Sequence, residues 1–191
     1  MSKRENFEKA VRAAGFEPFE TTSEKFSIYE LKDGSYLMMR MNVFKIARQT
    51  DTVGNVRFNI GGNHSVVIIS PKNLRGTPSI RPPTPQEIMA SIVEDDVDFS
   101  VIEENWQTYT MTDNVVVILK LIPVKVSRTT IFDLNGEPVY NVNHQLLIKV
   151  NVPEELRKKG IRIQQSQSGH PSFITSLAIL FVIDSMSFFA N

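Results

Sequence analysis

Two stretches of the chain repeat each other, and this repetition constrains the fold more than any other feature of the sequence. Residues 29–70 align with residues 109–152 at an offset of 80 up to Thr50 and Thr130, and at an offset of 82 beyond them. Self-similarity at a fixed period is typical of a repeated structural unit. The identical pairs are Tyr29/Tyr109, Asp33/Asp113, Lys45/Lys125, Arg48/Arg128, Thr50/Thr130, Asp51/Asp133, Gly54/Gly136, Asn59/Asn141, Pro71/Pro153, Leu74/Leu156 and Arg75/Arg157.

Each copy contains a long apolar stretch whose alternation changes phase in mid-course. In the first copy the apolar residues occupy odd positions up to Met41 and even positions from Phe44 onward. The second copy makes the same change at Pro123. Because a slip of one residue turns every following side chain to the opposite face, we predict a bulge or sharp bend near Asn42 and Val43 and at Pro123.

Short helices are predicted before both copies. Apolar spacing predicts one over residues 4–14, and the run Thr-Pro-Gln-Glu at residues 84–87 has the form of a capping box that opens the other. Between the copies, residues 76–85 hold four prolines and predict an extended connector. We expect four residues to form the buried stripe of the second helix: Ile88, Met89, Ile92 and Val93.

These features predict an α+β fold of two tandem copies of a short helix plus a strongly bent, small-barrel-like antiparallel sheet, packed as a pseudo-symmetric pair. In outline the order of helix, hairpin and bent strand resembles Sm-like and SH3-like small barrels, and such a likeness carries no function. The predicted parts are a first repeat over residues 1–80, a second over residues 81–165 and an apolar C-terminal segment over residues 166–191.

The C-terminal segment breaks the repeat. Residues 173–189 are strongly apolar, interrupted by serine and threonine residues and by Asp184. A membrane-spanning helix needs about 20 predominantly apolar residues, so a membrane anchor is the least favoured of three alternatives. The others are a buried helix or strand that completes the core, and an oligomer interface. Length favours a helix slightly, although β-branched residues over 179–183 favour a strand.

Composition excludes several kinds of chemistry. The chain has no cysteine, which removes disulfides, thiolate metal sites and cysteine nucleophiles. Its 21 basic residues balance 21 acidic ones, which argues against a dedicated nucleic-acid-binding protein. The charged N-terminal sequence lacks the apolar core of a signal peptide, so we expect a cytoplasmic location.

No group of residues predicts catalysis or a cofactor. His64, His144 and His170 are scattered, and the alignment does not make His64 and His144 equivalent, so we expect His64 to be a partly buried core residue. Asp33 and Asp113 fall in turns, where aspartate is favoured for backbone reasons. A hydrolase or metal enzyme around these turns and histidines is a weaker alternative. We therefore predict no cofactor and no metal site, and the sequence favours a non-enzymatic protein while leaving enzymatic activity open.

Basic residues that recur in both copies are the candidates for a binding site. If the copies pack with pseudo-twofold symmetry, these residues could bind phosphate, a nucleic-acid backbone or an acidic partner. The structural alternative is that the arginines form ion pairs with Asp51 and Asp133, which recur with them. The candidate residues are Arg40, Lys45, Arg48, Arg75, Lys120, Lys125, Arg128 and Arg157.

The sequence thus favours a non-enzymatic protein-interaction or assembly module built from a duplicated β-rich unit. Its expected partner is another protein or a second copy, bound through the C-terminal apolar segment. The alternative is a nucleic-acid-binding protein that uses the recurring lysines and arginines on the two sheets. We do not expect a membrane partner.

Overall fold

The chain is mostly β-structure, arranged in two antiparallel sheets with a few short helices. The structure, a computed structural model, describes residues 2–50, 52, 55–158 and 162–163. The helices are α1 (Lys3–Ala13), α2 (Pro85–Ala90) and α3 (Glu154–Lys158), and a 3₁₀ turn spans Lys72–Leu74. The strands are β1 (Phe19–Ser23), β2 (Ser27–Leu31), β3 (Tyr36–Thr50), β4 (Asn55–Ile69), β5 (Ile92–Glu94), β6 (Phe99–Glu103), β7 (Gln107–Met111), β8 (Val116–Phe132), β9 (Pro138–Asn151) and β10 (Arg162–Ile163).

Two short strands are exchanged between the sheets. The first sheet has the order β10-β4-β3-β2-β6, and the second has the order β1-β7-β8-β5 with β9 also paired to β8. Strand β1 from the first half of the chain pairs with β7, and β6 from the second half pairs with β2. The two halves on either side of the connector therefore contribute strands to both sheets.

Both long strands bend where the alternation of apolar residues predicts a bend. The register of β3 and β4 shifts at Phe44, and the register of β8 and β9 shifts at Val124, directly after Pro123. These two extra residues are more than half exposed. After the bulge at Phe44 the side chain of Ile46 is again fully buried, so residues on both sides of the bulge reach the core. Of the predicted bulge or bend, a bulge is confirmed in each long strand.

The second predicted helix is shorter than expected. It begins with the capping box of Thr84 and Glu87 but ends at Ala90. The β-branched residues that follow form β5 instead, which pairs with β8. Of the four residues in the predicted stripe, only Ile88 is buried, and Val93 is 55% exposed. The predicted buried stripe is therefore wrong beyond the first turn.

Two apolar clusters fill the space between the sheets. Leu37 of β3 and Leu121 of β8 belong to the cluster that surrounds Tyr29. Ile46 of β3 belongs to the cluster that surrounds Tyr109, together with more residues of β8. Because β3 and β8 contribute to both clusters, the two long strands hold the sheets together along their whole length.

Both sheets are open in the part of the chain that the structure describes. The outer edge of β4 pairs only with β10, through Asn55 and Val56, and the outer edge of β9 has no partner strand among the described residues. The expected barrel-like closure is therefore absent from the strand pairing of these residues. No helix among them has the length and apolar character needed to cross a membrane. The predicted apolar segment, residues 166–191, lies outside the described residues.

Candidate functional site

Most of the recurring basic residues are engaged in ion pairs. Of the seven whose side chains the structure describes, five lie within ion-pair distance of a carboxylate, and the side chain of Arg157 lies outside the described part. The other two place their charged groups over aromatic rings. Cζ of Arg40 lies 4.6 Å from the ring centre of Phe26, and Nζ of Lys45 lies 5.4 Å from that of Phe16. The pairs are Arg48 with Asp113 and Glu17, Arg75 with Glu137, Lys120 with Glu104, Lys125 with Asp95, and Arg128 with Glu94 and Asp33.

The partners of the two arginines differ from those that the sequence indicated. The carboxylate of Asp133 accepts hydrogen bonds from the backbone N–H groups of Asn135 and Glu137 within its own turn, while Arg128 pairs with Glu94. The prediction that Asp133 pairs with Arg128 is wrong, because the Arg128 guanidinium lies beside Glu94 and Asp33 instead. Asp51 lies outside the described residues.

Two tyrosines make reciprocal contacts with glutamates. The hydroxyl of Tyr29 donates to Glu104 at 3.1 Å, and the hydroxyl of Tyr109 donates to Glu24 at 2.7 Å. Burial and the neighbouring carboxylate raise the pKa of both phenols above the usual range. Both tyrosines are therefore neutral hydrogen-bond donors in the core.

Two histidines that the sequence left unconnected meet between the sheets. Nε2 of His144 lies 2.9 Å from Nδ1 of His64, with the rings nearly perpendicular. Nδ1 of His144 lies 3.2 Å from the carbonyl oxygen of Val142, so it carries the proton, and its neutral ring accepts from His64 at Nε2. Burial lowers the pKa of both rings, and repulsion from the protonated form of His144 would lower that of His64 further.

The sequence did not predict this histidine pair, because the alignment of the two copies does not place His64 and His144 at equivalent positions. The alignment matches His64 with Leu146 and His144 with Gly62, so it contains no signal for the contact. Among the described residues, no third histidine, cysteine, aspartate or glutamate joins them in an arrangement that could hold a metal ion. The pair fits the predicted partly buried position of His64, with the other histidine as its hydrogen-bond partner.

An apolar cleft with a volume of about 120 Å³ lies between the end of β4 and the beginning of β9. Three consecutive residues of β4, 66–68, line it, and so do three consecutive residues of β9, 138–140. Successive side chains of a strand point to opposite faces, so a cleft lined by consecutive residues lies at the strand edge. The cleft therefore opens onto the outer edges of both strands. The connector, α2 and the segment between β8 and β9 complete its walls. They contribute Pro82, Pro83, Ile88, Asp133, Leu134, Asn135 and Glu137.

Arg75 and Glu137 fix one rim of this cleft. The Arg75 guanidinium pairs with Glu137 and donates to the carbonyl oxygen of Ser70 at 3.2 Å. The carboxylate of Glu137 also accepts from the backbone N–H of Ser70 at 3.1 Å. These contacts join the end of β4 to the turn before β9. Arg75 therefore shapes the cleft instead of contributing free positive charge.

The sequence contains only indirect signals for the cleft, namely the proline-rich connector and Ile88. Comparison of the chain with models of protein families, with curated proteins and with solved structures found no match.

Proposed function

We propose that this protein is a non-enzymatic protein-interaction or assembly module that binds an extended apolar segment in the cleft between β4 and β9. The observation that supports it is the position of the cleft at two strand edges that lack partner strands in the described part of the chain beyond Val56. An extended segment adds to such an edge through backbone hydrogen bonds, and apolar pockets select its side chains.

We also infer that the module is built from a duplicated unit, residues 1–80 and 81–165. Equivalent positions make equivalent contacts: Arg48 reaches Asp113, and Arg128 reaches Asp33. The exchanged strands β1 and β6 begin 80 residues apart, and so do β2 and β7. These relationships have the same offset as the alignment of the two copies and support a pseudo-twofold arrangement.

The nucleic-acid-binding alternative has less support. An arginine or lysine in an ion pair must break that pair before it can bind a phosphate. Five of the candidate residues are in such ion pairs. We therefore expect no salt-dependent binding of generic DNA or RNA at low ionic strength. Binding that disappears in a variant with Lys45, Arg48, Lys125 and Arg128 all replaced by glutamate would favour this alternative.

The proposed function is tested with a substitution in the cleft wall. Leu134 is 51% exposed in a turn, so Leu134→Asp adds charge to the cleft with little effect on folding. Ile102→Asp is the matched control, because Ile102 is 53% exposed on β6 and does not line the cleft. The probe is a displayed library of random peptides, selected on the full chain, with binding measured by titration calorimetry.

We expect the selected peptides to be apolar and to lose at least tenfold in affinity in Leu134→Asp but not in Ile102→Asp. If the partner is a second copy, light scattering of the full chain over a range of concentrations detects it. The same measurement is made on Leu134→Asp and on Ile102→Asp. Equal binding by both variants, or neither peptide binding nor self-association, would contradict the proposed function.

A further inference from the structure

We propose that the cleft between β4 and β9 binds the C-terminal apolar segment of the same chain, beginning at Phe173. This inference rests on the proposed function, because it names the segment that the cleft binds. Its evidence is the direction in which the described chain ends, the length of the sequence that follows and the apolar character of both surfaces.

Strand β10 sets the direction. Arg162 and Ile163 pair in parallel with Asn55 and Val56, on the edge of β4 opposite β3. Because the pairing is parallel, β10 points toward the end of β4 that lines the cleft. Beyond Val56 that edge has no other partner strand in the described part of the chain, so its backbone groups are open to the residues that follow.

The length of the chain matches the distance to the cleft. Val66, the first residue of β4 in the cleft, follows Val56 by ten residues, and Phe173 follows Ile163 by ten residues. Strands advance by about 3.3 Å per residue, so both paths cover about 33 Å when extended. Residues 164–170 are polar apart from a glycine, whereas Phe173 and Ile174 begin the apolar sequence. If the chain continues from β10 along this edge, its first large apolar side chains fall beside the cleft.

The chemistry of the cleft suits this occupant. Its β4 wall consists of valine and isoleucine, and its other walls include two prolines and a leucine. A cleft of about 120 Å³ takes a few side chains and not a whole helix, so extended residues near Phe173 are its occupants. Transfer of these side chains from water into the cleft favours docking through the hydrophobic effect.

Engineered disulfides test the contact, because the full chain contains no cysteine of its own. The test variant combines Leu134→Cys with Phe173→Cys, and the control combines Ile102→Cys with Phe173→Cys. Both proteins are oxidised without denaturant at low concentration, and the products are followed by non-reducing electrophoresis and peptide mass spectrometry. We expect the test pair to form a disulfide within one chain at least ten times faster than the control.

Equal rates for the two pairs would overturn the inference. A disulfide between two chains, with a yield that rises with protein concentration, would also overturn it and would instead support assembly through a second copy. Cross-linking within one chain without any peptide binding would support the inference and count against the proposed partner. Peptide binding without preferential cross-linking would support the proposed function and overturn the inference about the C-terminal segment.

Hydrogen exchange provides a second measurement that needs no cross-link. In the full chain, Phe173→Asp should accelerate amide exchange of residues 66–68 several-fold, because the docked segment shields that edge. Phe188→Asp is the control, since it changes an apolar residue of the same segment far from the predicted contact, and it should leave these amides unchanged. Unchanged exchange in Phe173→Asp would contradict the proposal.

Discussion

Arg48 in one sheet forms an ion pair with Asp113 in the hairpin turn between β7 and β8 of the other sheet, with 2.7 Å between Nη2 and Oδ2. The same relationship recurs 80 residues later in the opposite direction, where Nε of Arg128 lies 3.5 Å from Oδ2 of Asp33. Each aspartate also accepts a hydrogen bond from the backbone of its own turn. The two hairpin turns are therefore each attached to the opposite sheet by one arginine.

A double-mutant cycle of Arg48→Met and Asp113→Asn should show a coupling energy of about 1–2 kcal/mol, measured by urea denaturation. The arginine side chain is only 19% exposed, so water screens this pair weakly. Lys32 and Asp98, which are 72% and 79% exposed, are the matched control and should show no measurable coupling. Equal coupling in the two cycles would contradict a structural role for the inter-sheet pair.

The His64–His144 contact should make stability depend on pH. Because the pKa of each histidine is lowered in the fold, the unfolded chain binds protons that the folded chain does not, so stability falls as the pH drops below the unfolded value of 6.5. We expect the free energy of unfolding to decrease from pH 7.5 to pH 5.5. The double variant His64→Gln/His144→Gln should lose most of this decrease. Identical pH profiles for the two proteins would argue against the lowered pKa values.

Two adjacent glycines in β4 should differ in their tolerance of a methyl group. A Cβ on Gly62 would collide with the backbone oxygen of Asn42 beside the bulge, so Gly62→Ala should cost about 1–3 kcal/mol. A Cβ on Gly61 would meet only the flexible side chain of Lys45, which is exposed and can move. Gly61→Ala should therefore cost less than Gly62→Ala in urea denaturation. The reverse order would show that the register at the bulge differs.

Removal of a single tyrosine hydroxyl should show how much the Tyr29–Glu104 and Tyr109–Glu24 hydrogen bonds contribute to stability. Tyr109→Phe removes the donor to Glu24, and Tyr29→Phe removes the donor to Glu104; each should lower the free energy of unfolding by about 1–3 kcal/mol. Tyr36, which is 40% exposed, is the control, and Tyr36→Phe should be close to neutral. Equal effects at all three positions would mean that these two hydrogen bonds do not contribute to stability.

Local pattern in the sequence was sufficient for much of the secondary structure. The alternation of apolar residues located the long strands and their bends at Phe44 and Val124, because the period of a strand and its interruption are local properties. Apolar spacing located the first helix to within one residue at each end, and the capping box at residues 84–87 located the start of the second. Local pattern failed at the end of α2, where pairing with Thr129 converts Ile92 to strand. That pairing links residues 37 positions apart, which periodicity does not encode.

The sequence by itself determined where the long strands, their bulges and the hairpin turns lie, and which positions recur at offsets of 80 and 82 residues. Only the tertiary structure decided that β1 and β6 are exchanged, that Arg48 pairs with Asp113, that His64 meets His144 and that β4 and β9 leave a cleft between their edges. The reason is physical. Alternation records which face of a strand is buried, whereas the neighbour on that face is selected by packing between residues that are distant in the chain.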